Sequence, residues 1–244
     1  MDPFHDRVRL ERDEVHLWWR RIGMGEGSAA ARAWLSDDER RRCERFHREQ
    51  DARAFAARRV FLRSVLASYL GRRPGELVFE SNAWGKPTLV RPAVDLAFNL
   101  SRSGERMLLG VTWGRELGVD VERVDPRLRD GEELSTLSAR VLTPAERACF
   151  SSLPDDERPA AFVRAWARKE AVLKALGTGL SRAPSSVEVG LQPLGPLEAR
   201  TLDEQVFPRP RGGRLLDVAA PEGFAACVVA EGHDWDLLTC SRAA

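Results

Sequence analysis

The chain has 244 residues, of which 43% are hydrophobic and 31% are charged, and its formal net charge is +1. This composition is typical of a globular protein with one large or two small domains, and it excludes collagen, coiled coils and disorder. The longest apolar stretches, such as 224–230, are far shorter than the ~20 residues that a membrane-spanning helix requires. A net charge near zero implies no general attraction to nucleic acid or to membranes.

The N-terminal residues and the cysteine spacing bear on where the protein is located. The first residues, which include Asp2, His5 and Asp6, lack the apolar run of a signal peptide. The four cysteines are widely separated, so their spacing predicts neither a zinc site nor a disulfide framework. We therefore expect a cytoplasmic protein. No pattern is assigned to the residues beyond Asp234.

The first half of the chain is predicted to contain a strand, two helices and then three strands. Apolar periodicity predicts the first strand over 14–19. Ser36 and Glu39 form a capping box that begins a helix, and a longer helix over 51–70 ends at Gly71. Short strands between Gly, Pro and Asn residues are predicted over 76–79, 95–100 and 107–113.

The second half begins with a strand and repeats this order. Thr143 and Glu146 form a second capping box, with Pro144 at the first helical position. A long helix over 160–176 stops at Gly177. Strands are predicted over 118–124, 187–189, 215–219 and 225–230.

The two halves also match position by position. Residues 35–36 match 142–143 and residues 54–55 match 161–162 at an offset of 107, and 70–71 match 176–177 at 106. Chance could produce some matches, but their common order favours duplication. We predict an α+β protein, a pseudo-two-fold duplication of two similar α/β subdomains (1–115 and 116–244) with a ligand cleft between them.

Two carboxylates are predicted to share one face of the strand that begins the second half. Asp120 and Glu122 alternate with Val119 and Val121, so the acids point to one side and the valines to the core. Carboxylates held this close repel unless a cation lies between them, and oxygen ligands suit Mg²⁺. The alternative is a half-exposed strand with two ordinary acidic residues.

A helical stripe carries further charged groups. Trp166, Glu170 and Lys174 are spaced four apart, and the aromatic ring indicates a partly buried face. A buried carboxylate and ammonium are costly unless they serve a ligand or each other, and a simple Glu170–Lys174 ion pair is the alternative. Lysine is also rare. Only three of the 38 basic residues are lysines, namely Lys86, Lys169 and Lys174. Chance survival of three lysines is a further alternative.

Three segments of the first half suit phosphate. Lys86 lies in a tight Gly-Lys-Pro turn, and the Ser-Arg-Ser sequence at 101–103 offers hydroxyl, guanidinium and N–H groups. Between residues 39 and 73 there are 11 arginines and 4 acidic residues. This run is either a solvated helical face or a surface for a polyanionic ligand.

Together these segments resemble the 4′-phosphopantetheinyl transferase superfamily, and in particular its Sfp-like group of duplicated monomers. The resemblance rests on residues 118–122, 166–180, 85–87 and 98–103. It implies a monomer with an internal pseudo-dimer, which binds coenzyme A in the cleft and acts on an acyl or peptidyl carrier protein. One position departs from the family's usual Ser-His-Ser loop, because Arg102 replaces the histidine. Arg102 keeps a cation but cannot titrate near neutral pH.

The resemblance also implies a metal and catalytic set. Asp120, Glu122 and Glu170 would be the Mg²⁺ ligands. Glu170 would in addition be the general base, Lys174 would contact the pyrophosphate and stabilise the leaving phosphate, and Lys169 would support the same site.

A second implied set binds the nucleotide end of coenzyme A. Lys86, Ser101 and Arg102 would hold that end, including its 3′-phosphate. Arg42 and Arg53 stand where family members often have basic phosphate contacts.

The implied reaction transfers the 4′-phosphopantetheine group from coenzyme A to a carrier serine, depends on Mg²⁺ and releases adenosine 3′,5′-bisphosphate. One alternative is another Mg²⁺-dependent enzyme of nucleotide pyrophosphates, such as a hydrolase. Another is a binding module without turnover, although a degenerate site need not keep Asp120, Glu122, Glu170 and Lys174. By analogy alone, the Sfp-like architecture favours polyketide or nonribosomal peptide synthesis. No nucleic acid or membrane partner is expected.

Overall fold

The computed structural model describes residues 8–22, 33–129, 131–195 and 198–240. The expectation drawn from Asp2, His5 and Asp6 therefore lies outside the described residues. Within the described ranges, no helix is both long enough and apolar enough to cross a membrane.

The first half is a sheet packed against one long helix. Helix α1 (Asp37–Glu44) begins at the predicted capping box, and α2 (Glu49–Leu70) ends at Gly71, whose φ of 59° is left-handed. Leu62 and Leu66 of α2 pack against the sheet. The strands are β1 (Glu14–Arg21), β2 (Val78–Ser81), β3 (Pro87–Arg91), β4 (Leu96–Ser103) and β5 (Arg106–Trp113), of which β2 and β3 form a separate hairpin.

The second half repeats a helix against a sheet. Its helices are α3 (Gly131–Val141), α4 (Pro144–Ser152) and α5 (Arg158–Leu176). Its strands are β6 (Leu117–Arg123), β7 (Arg200–Leu202), β8 (Gly213–Asp217) and β9 (Phe224–Glu231), in the antiparallel order β6-β9-β8-β7. The predicted α+β class with two subdomains is confirmed. The predicted strand at 187–189 is wrong, because this segment pairs with no other strand among the described residues. Its backbone groups form hydrogen bonds with side chains of α4 and α5 instead.

The chain returns to the first half at its far end. Strand β10 (Asp236–Cys240) pairs parallel to β1, which makes the first sheet β10-β1-β5-β4. Its side chains are mostly exposed or half-buried, so hydrophobic periodicity gives no signal for it. A segment of the predicted second subdomain therefore completes the sheet of the first.

Each half contains a buried ion network built on its capping-box glutamate. In the first half, the capping-box residue Glu39 accepts a hydrogen bond from Arg63 Nε at 2.8 Å. The Arg63 guanidinium also donates to the carbonyl oxygens of Pro74 and Leu77. It thereby ties α1 and α2 to the turn that follows α2.

The second half repeats the network with a lysine. Lys169 Nζ lies 2.6 Å from Glu146 Oε2, and it donates to the carbonyl oxygens of Pro184 and Val187. Positions 63 and 169 differ by 106, the offset at the helix ends. The structure therefore places Lys169 in the core of the second half as the counterpart of Arg63.

Lys169→Met is expected to destabilise the fold strongly. Burial raises the pKa of Glu146, but Lys169 and backbone N–H donors outweigh burial and hold that pKa below its ordinary value. Removing the ammonium leaves a buried charge unpaired, so the free energy of unfolding should fall by about 3–5 kcal/mol in urea denaturation. Arg53→Ala, which breaks only an exposed ion pair with Glu49, is the control and should leave the midpoint near wild type. Equal midpoints for the two variants would contradict this role of Lys169.

Candidate active site

Strands β4 and β6 meet where the two halves of the chain join, and these strands share no backbone ladder. Side chains on alternate positions of β4 span the gap, as the two-residue repeat of a strand allows. Each accepts a hydrogen bond from a backbone N–H group of β6. Asn99 Oδ1 accepts from Val119 at 2.9 Å, Ser101 Oγ accepts from Val121 at 3.3 Å, and Ser103 Oγ accepts from Arg123 at 3.0 Å. We call Asn99, Ser101 and Ser103 the β4–β6 seam.

The seam also contacts the two acidic side chains of β6. Ser101 Oγ donates to Asp120 Oδ1 at 2.6 Å, and Ser103 Oγ donates to Glu122 Oε2 at 2.8 Å. Asp120 is buried and Glu122 is half-buried. Both carboxylates therefore face the boundary between the halves, on the shared face that the alternation predicts.

Helix α5 lies directly against β6 because Gly118 has no side chain. A Cβ atom at Gly118 would stand 2.0 Å from the carbonyl oxygen of Ala171 and 2.4 Å from the nitrogen of Ala175. This close approach brings the last turn of α5 over the acidic face of β6. Lys174 Nζ consequently lies 2.5 Å from Asp120 Oδ1.

The stripe of Trp166, Glu170 and Lys174 faces the same region, and all three side chains are half-buried. Trp166 Nε1 donates to Glu122 Oε1 at 3.3 Å. Lys174 donates to Asp120 and to Ser101, so among the described residues its ion pair is with β6 rather than with Glu170 on its own helix. The stripe therefore links the helix to the carboxylates.

The carboxylates are costly to charge. Burial raises the pKa of Asp120 to about 7, against the opposing effects of Lys174 and Ser101. Burial also raises the pKa of Glu170, which Lys174 lowers and the charge of Glu122 raises further. A cation placed among these groups would relieve both penalties.

The donor set fits a small divalent cation. Asp120 Oδ2 is buried and finds no hydrogen-bond partner among the described residues, which is costly unless a ligand satisfies it. In the described ranges, no three acidic, histidine or cysteine side chains form a preassembled metal cage. Mg²⁺ does not require one, because it usually takes one or two carboxylates and completes its shell with phosphate oxygens and water. The Mg²⁺ site at Asp120, Glu122 and Glu170 stays a prediction.

Positive charge gathers on the opposite face of β4. Arg102 alternates with the seam serines, so it points away from them towards Arg58 of α2. Burial lowers the pKa of Arg58, and the like charges of Arg102 and Arg42 lower it further. We call these three guanidinium groups the arginine cluster (Arg42, Arg58, Arg102). Within the described part of the chain none of them forms a close ion pair, although the charge of Asp51 partly opposes the lowering of the Arg58 pKa. Such a cluster favours an anion.

The remaining predicted residues lie elsewhere. Arg53 pairs with Glu49 at 2.6 Å on the exposed face of α2. Lys86 Nζ donates to Glu116 and to the carbonyl oxygen of Ala175, both at 3.2 Å, beside a cavity of about 490 Å³ between the halves. Lys169 lies in the core. The structure therefore brings Asp120, Glu122, Glu170, Lys174 and Ser101 together, but it does not bring Arg53 or Lys169 to them.

Sequence reasoning singled out Ser103 and Trp166 but missed their contacts with Glu122, and it missed Arg58 altogether. Ser103 and Trp166 hold the two oxygens of Glu122. The predicted strand ends at Leu100, whereas β4 continues to Ser103, and only this longer strand places Ser103 on the same face as Ser101. Arg58 joins the arginine cluster, but one arginine among 11 in that segment carries no signal that singles it out.

Comparison with known proteins identifies the family of this chain. The model of the 4′-phosphopantetheinyl transferase superfamily matches residues 116–229, and the model of the N-terminal part of 4′-phosphopantetheinyl transferases matches residues 25–112. The 4′-phosphopantetheinyl transferase HetI of Nostoc sp. is 34% identical over 238 residues, which cover 96% of this chain and 94% of the relative. The chain belongs to the 4′-phosphopantetheinyl transferase superfamily.

Further relatives of this superfamily member are also named as phosphopantetheinyl transferases. The 4′-phosphopantetheinyl transferase Sfp of Bacillus subtilis is 26% identical over 159 residues, 65% of this chain and 67% of the relative. The L-aminoadipate-semialdehyde dehydrogenase-phosphopantetheinyl transferase of Xenopus laevis is 31% identical over 166 residues, 66% of this chain and 55% of the relative. The chain is therefore an enzyme of the 4′-phosphopantetheinyl transferase class, and its two matched segments adjoin where β5 leads into β6.

Asn99→Ala is expected to destabilise this transferase by about 1–3 kcal/mol, because it leaves the buried N–H of Val119 without an acceptor. Urea denaturation followed by circular dichroism measures the loss. Asn82→Ala is the matched control, because the Asn82 side chain bonds exposed backbone groups that water can satisfy. Equal losses in the two variants would contradict a structural role for the seam.

Proposed function

We propose that this enzyme transfers the 4′-phosphopantetheine group from coenzyme A to a serine of an acyl or peptidyl carrier protein, with Mg²⁺ as cofactor and adenosine 3′,5′-bisphosphate as the second product. The observation that carries this proposal is the meeting of Asp120, Glu122, Glu170 and Lys174 at the boundary between the halves of a chain in this superfamily. By analogy with the Sfp-like group, the carrier would serve polyketide or nonribosomal peptide synthesis.

The reaction exchanges the phosphoanhydride bond of the pyrophosphate for a phosphoester bond to the carrier serine. The serine oxygen attacks the β-phosphorus of coenzyme A, and the bond from that phosphorus to the bridging oxygen of adenosine 3′,5′-bisphosphate breaks. Asp120, Glu122 and Glu170 would hold Mg²⁺, which when bound supplies positive charge to the pyrophosphate oxygens. Positioning and electrostatics supply most of the catalysis in reactions of this type.

Glu170 is the proposed acceptor of the serine proton. Burial raises its pKa, and a carboxylate with a raised pKa is a stronger base. Lys174 is proposed to place its ammonium near the leaving phosphate, and its contact with Asp120 Oδ1 at 2.5 Å supports that position. Lys169 has no part in this proposal, because its ammonium is enclosed in the core.

The nucleotide end of coenzyme A is proposed to bind beside β4. The arginine cluster would hold the 3′-phosphate, and Arg58 takes the place that the resemblance gave to Arg53. Lys86 lies beside the cavity between the halves, which is proposed to receive the rest of the nucleotide.

Incubation of an apo carrier protein with the enzyme, coenzyme A and Mg²⁺ should add the mass of one phosphopantetheine, and EDTA should abolish the gain. Glu170→Gln should lower the rate at least about 100-fold, because it removes the general base. Glu157→Gln, at the exposed start of the same helix, is the control and should react like wild type. Intact-mass spectrometry of the carrier measures all three.

The same assay distinguishes the proposed transferase from the two alternative functions. Cleavage of coenzyme A without a gain on several carriers would indicate a hydrolase. Coenzyme A that is bound but unchanged would indicate a binding module. A rate for Glu170→Gln within a few-fold of wild type would reject the proton-accepting role.

Arg58→Ala is expected to raise the KM for coenzyme A about tenfold, because it removes one hydrogen bond to a charged phosphate oxygen and a loss of that size corresponds to the free energy of such a bond. The variant and the wild type should have equal KM values for 3′-dephospho-coenzyme A, which lacks the phosphate concerned. Arg53→Ala is the matched control and should change neither value, because its guanidinium is held by Glu49. A tenfold effect of Arg58→Ala on both substrates would show that Arg58 does not contact the 3′-phosphate.

A further inference from the structure

Ser103 makes two hydrogen bonds with a fixed direction. Its Oγ atom accepts from the backbone N–H of Arg123 at 3.0 Å and lies 2.8 Å from Glu122 Oε2. A hydroxyl group has one proton, and a backbone N–H can only donate. The proton of Ser103 therefore points at the carboxylate.

Glu122 is consequently held at both oxygens. Ser103 donates to Oε2, and Trp166 Nε1 donates to Oε1 from the neighbouring helix. A carboxylate oxygen accepts two hydrogen bonds or ligands, so each oxygen keeps one free position. The two donors come from different halves of the chain, and together they set the plane of the carboxylate.

We propose that Ser103 is a positioning residue, which orients the carboxylate of Glu122 for the divalent cation without touching cation or substrate. The inference rests on the proposed function, because it takes Glu122 as a metal ligand. Groups that hydrogen-bond a metal ligand change metal affinity by about 10–100-fold when they are removed. Ser103 is such a group because its only proton is directed at Glu122.

The surroundings of Ser103 allow its positioning role to be measured apart from stability. The N–H of Arg123 is exposed, so water can replace Ser103 as its acceptor. At Ser101 the corresponding N–H of Val121 is buried, and that serine also contacts Lys174. Ser103→Ala therefore removes the hydroxyl from Glu122 with little expected change in folding.

The experiment uses Mn²⁺ as a paramagnetic probe of the Mg²⁺ site. Mn²⁺ is titrated into the full chain with saturating coenzyme A, and free Mn²⁺ is measured by electron paramagnetic resonance. Ser103→Ala should weaken Mn²⁺ affinity about tenfold while its thermal midpoint stays at the wild-type value. Ser103→Thr keeps the hydroxyl on a residue that suits a strand, so it should restore wild-type affinity.

A double-mutant cycle tests whether the hydroxyl acts through the carboxylate. Glu122→Gln should itself weaken Mn²⁺ binding, and Ser103→Ala should add no further loss in that background. An equal further loss would overturn the inference, as would wild-type affinity in Ser103→Ala alone.

The same titration separates the inference from the proposed function. If the wild type binds no Mn²⁺, or Glu122→Gln binds it as tightly as wild type, the proposed metal site is wrong and the inference fails with it. If Glu122→Gln weakens binding and Ser103→Ala does not, the metal site stands and the inference alone is overturned.

Discussion

The rest of the site depends on how β4 meets β6. The two strands are joined through side chains, so the groups that satisfy the amides of β6 also reach its acidic side chains. Ser101 and Ser103 each accept from the backbone and donate to a carboxylate. The hydroxyl of Ser101 thereby joins the two halves and orients a carboxylate, whereas the hydroxyl of Ser103, whose backbone partner is exposed, acts mainly on its carboxylate.

The seam also separates two charged regions by the thickness of one strand. The face of β4 towards β6 meets the carboxylates and Lys174, and the other face meets the arginine cluster. β4 is the last strand of its sheet, and the face that carries Arg102 also packs Phe98 and Leu100 against α2. The proposed substrate carries a pyrophosphate and a separate phosphate. The acidic region would meet the pyrophosphate through the proposed divalent cation, and the arginine cluster would meet the separate phosphate directly.

Duplication explains why one conspicuous lysine lies outside the site. Lys169 and Glu170 are adjacent in sequence, but neighbouring helical positions point about 100° apart. Glu170 faces the carboxylates, whereas Lys169 repeats the core contacts of Arg63 in the first half. Two of the three lysines therefore have different roles, a proposed ligand contact at Lys174 and a buried structural contact at Lys169.

Short-range patterns in the sequence were sufficient for both capping boxes, for the helix ends at Gly71 and Gly177 and for the shared face of Asp120 and Glu122. Each depends on residues within about four positions, whose geometry is local. Other features needed contacts between distant segments, so no local period encodes them. They are the pairing of β10 with β1, the ion pair of Lys169 with Glu146, the β4–β6 seam, and the position of Arg58, rather than Arg53, beside Arg102.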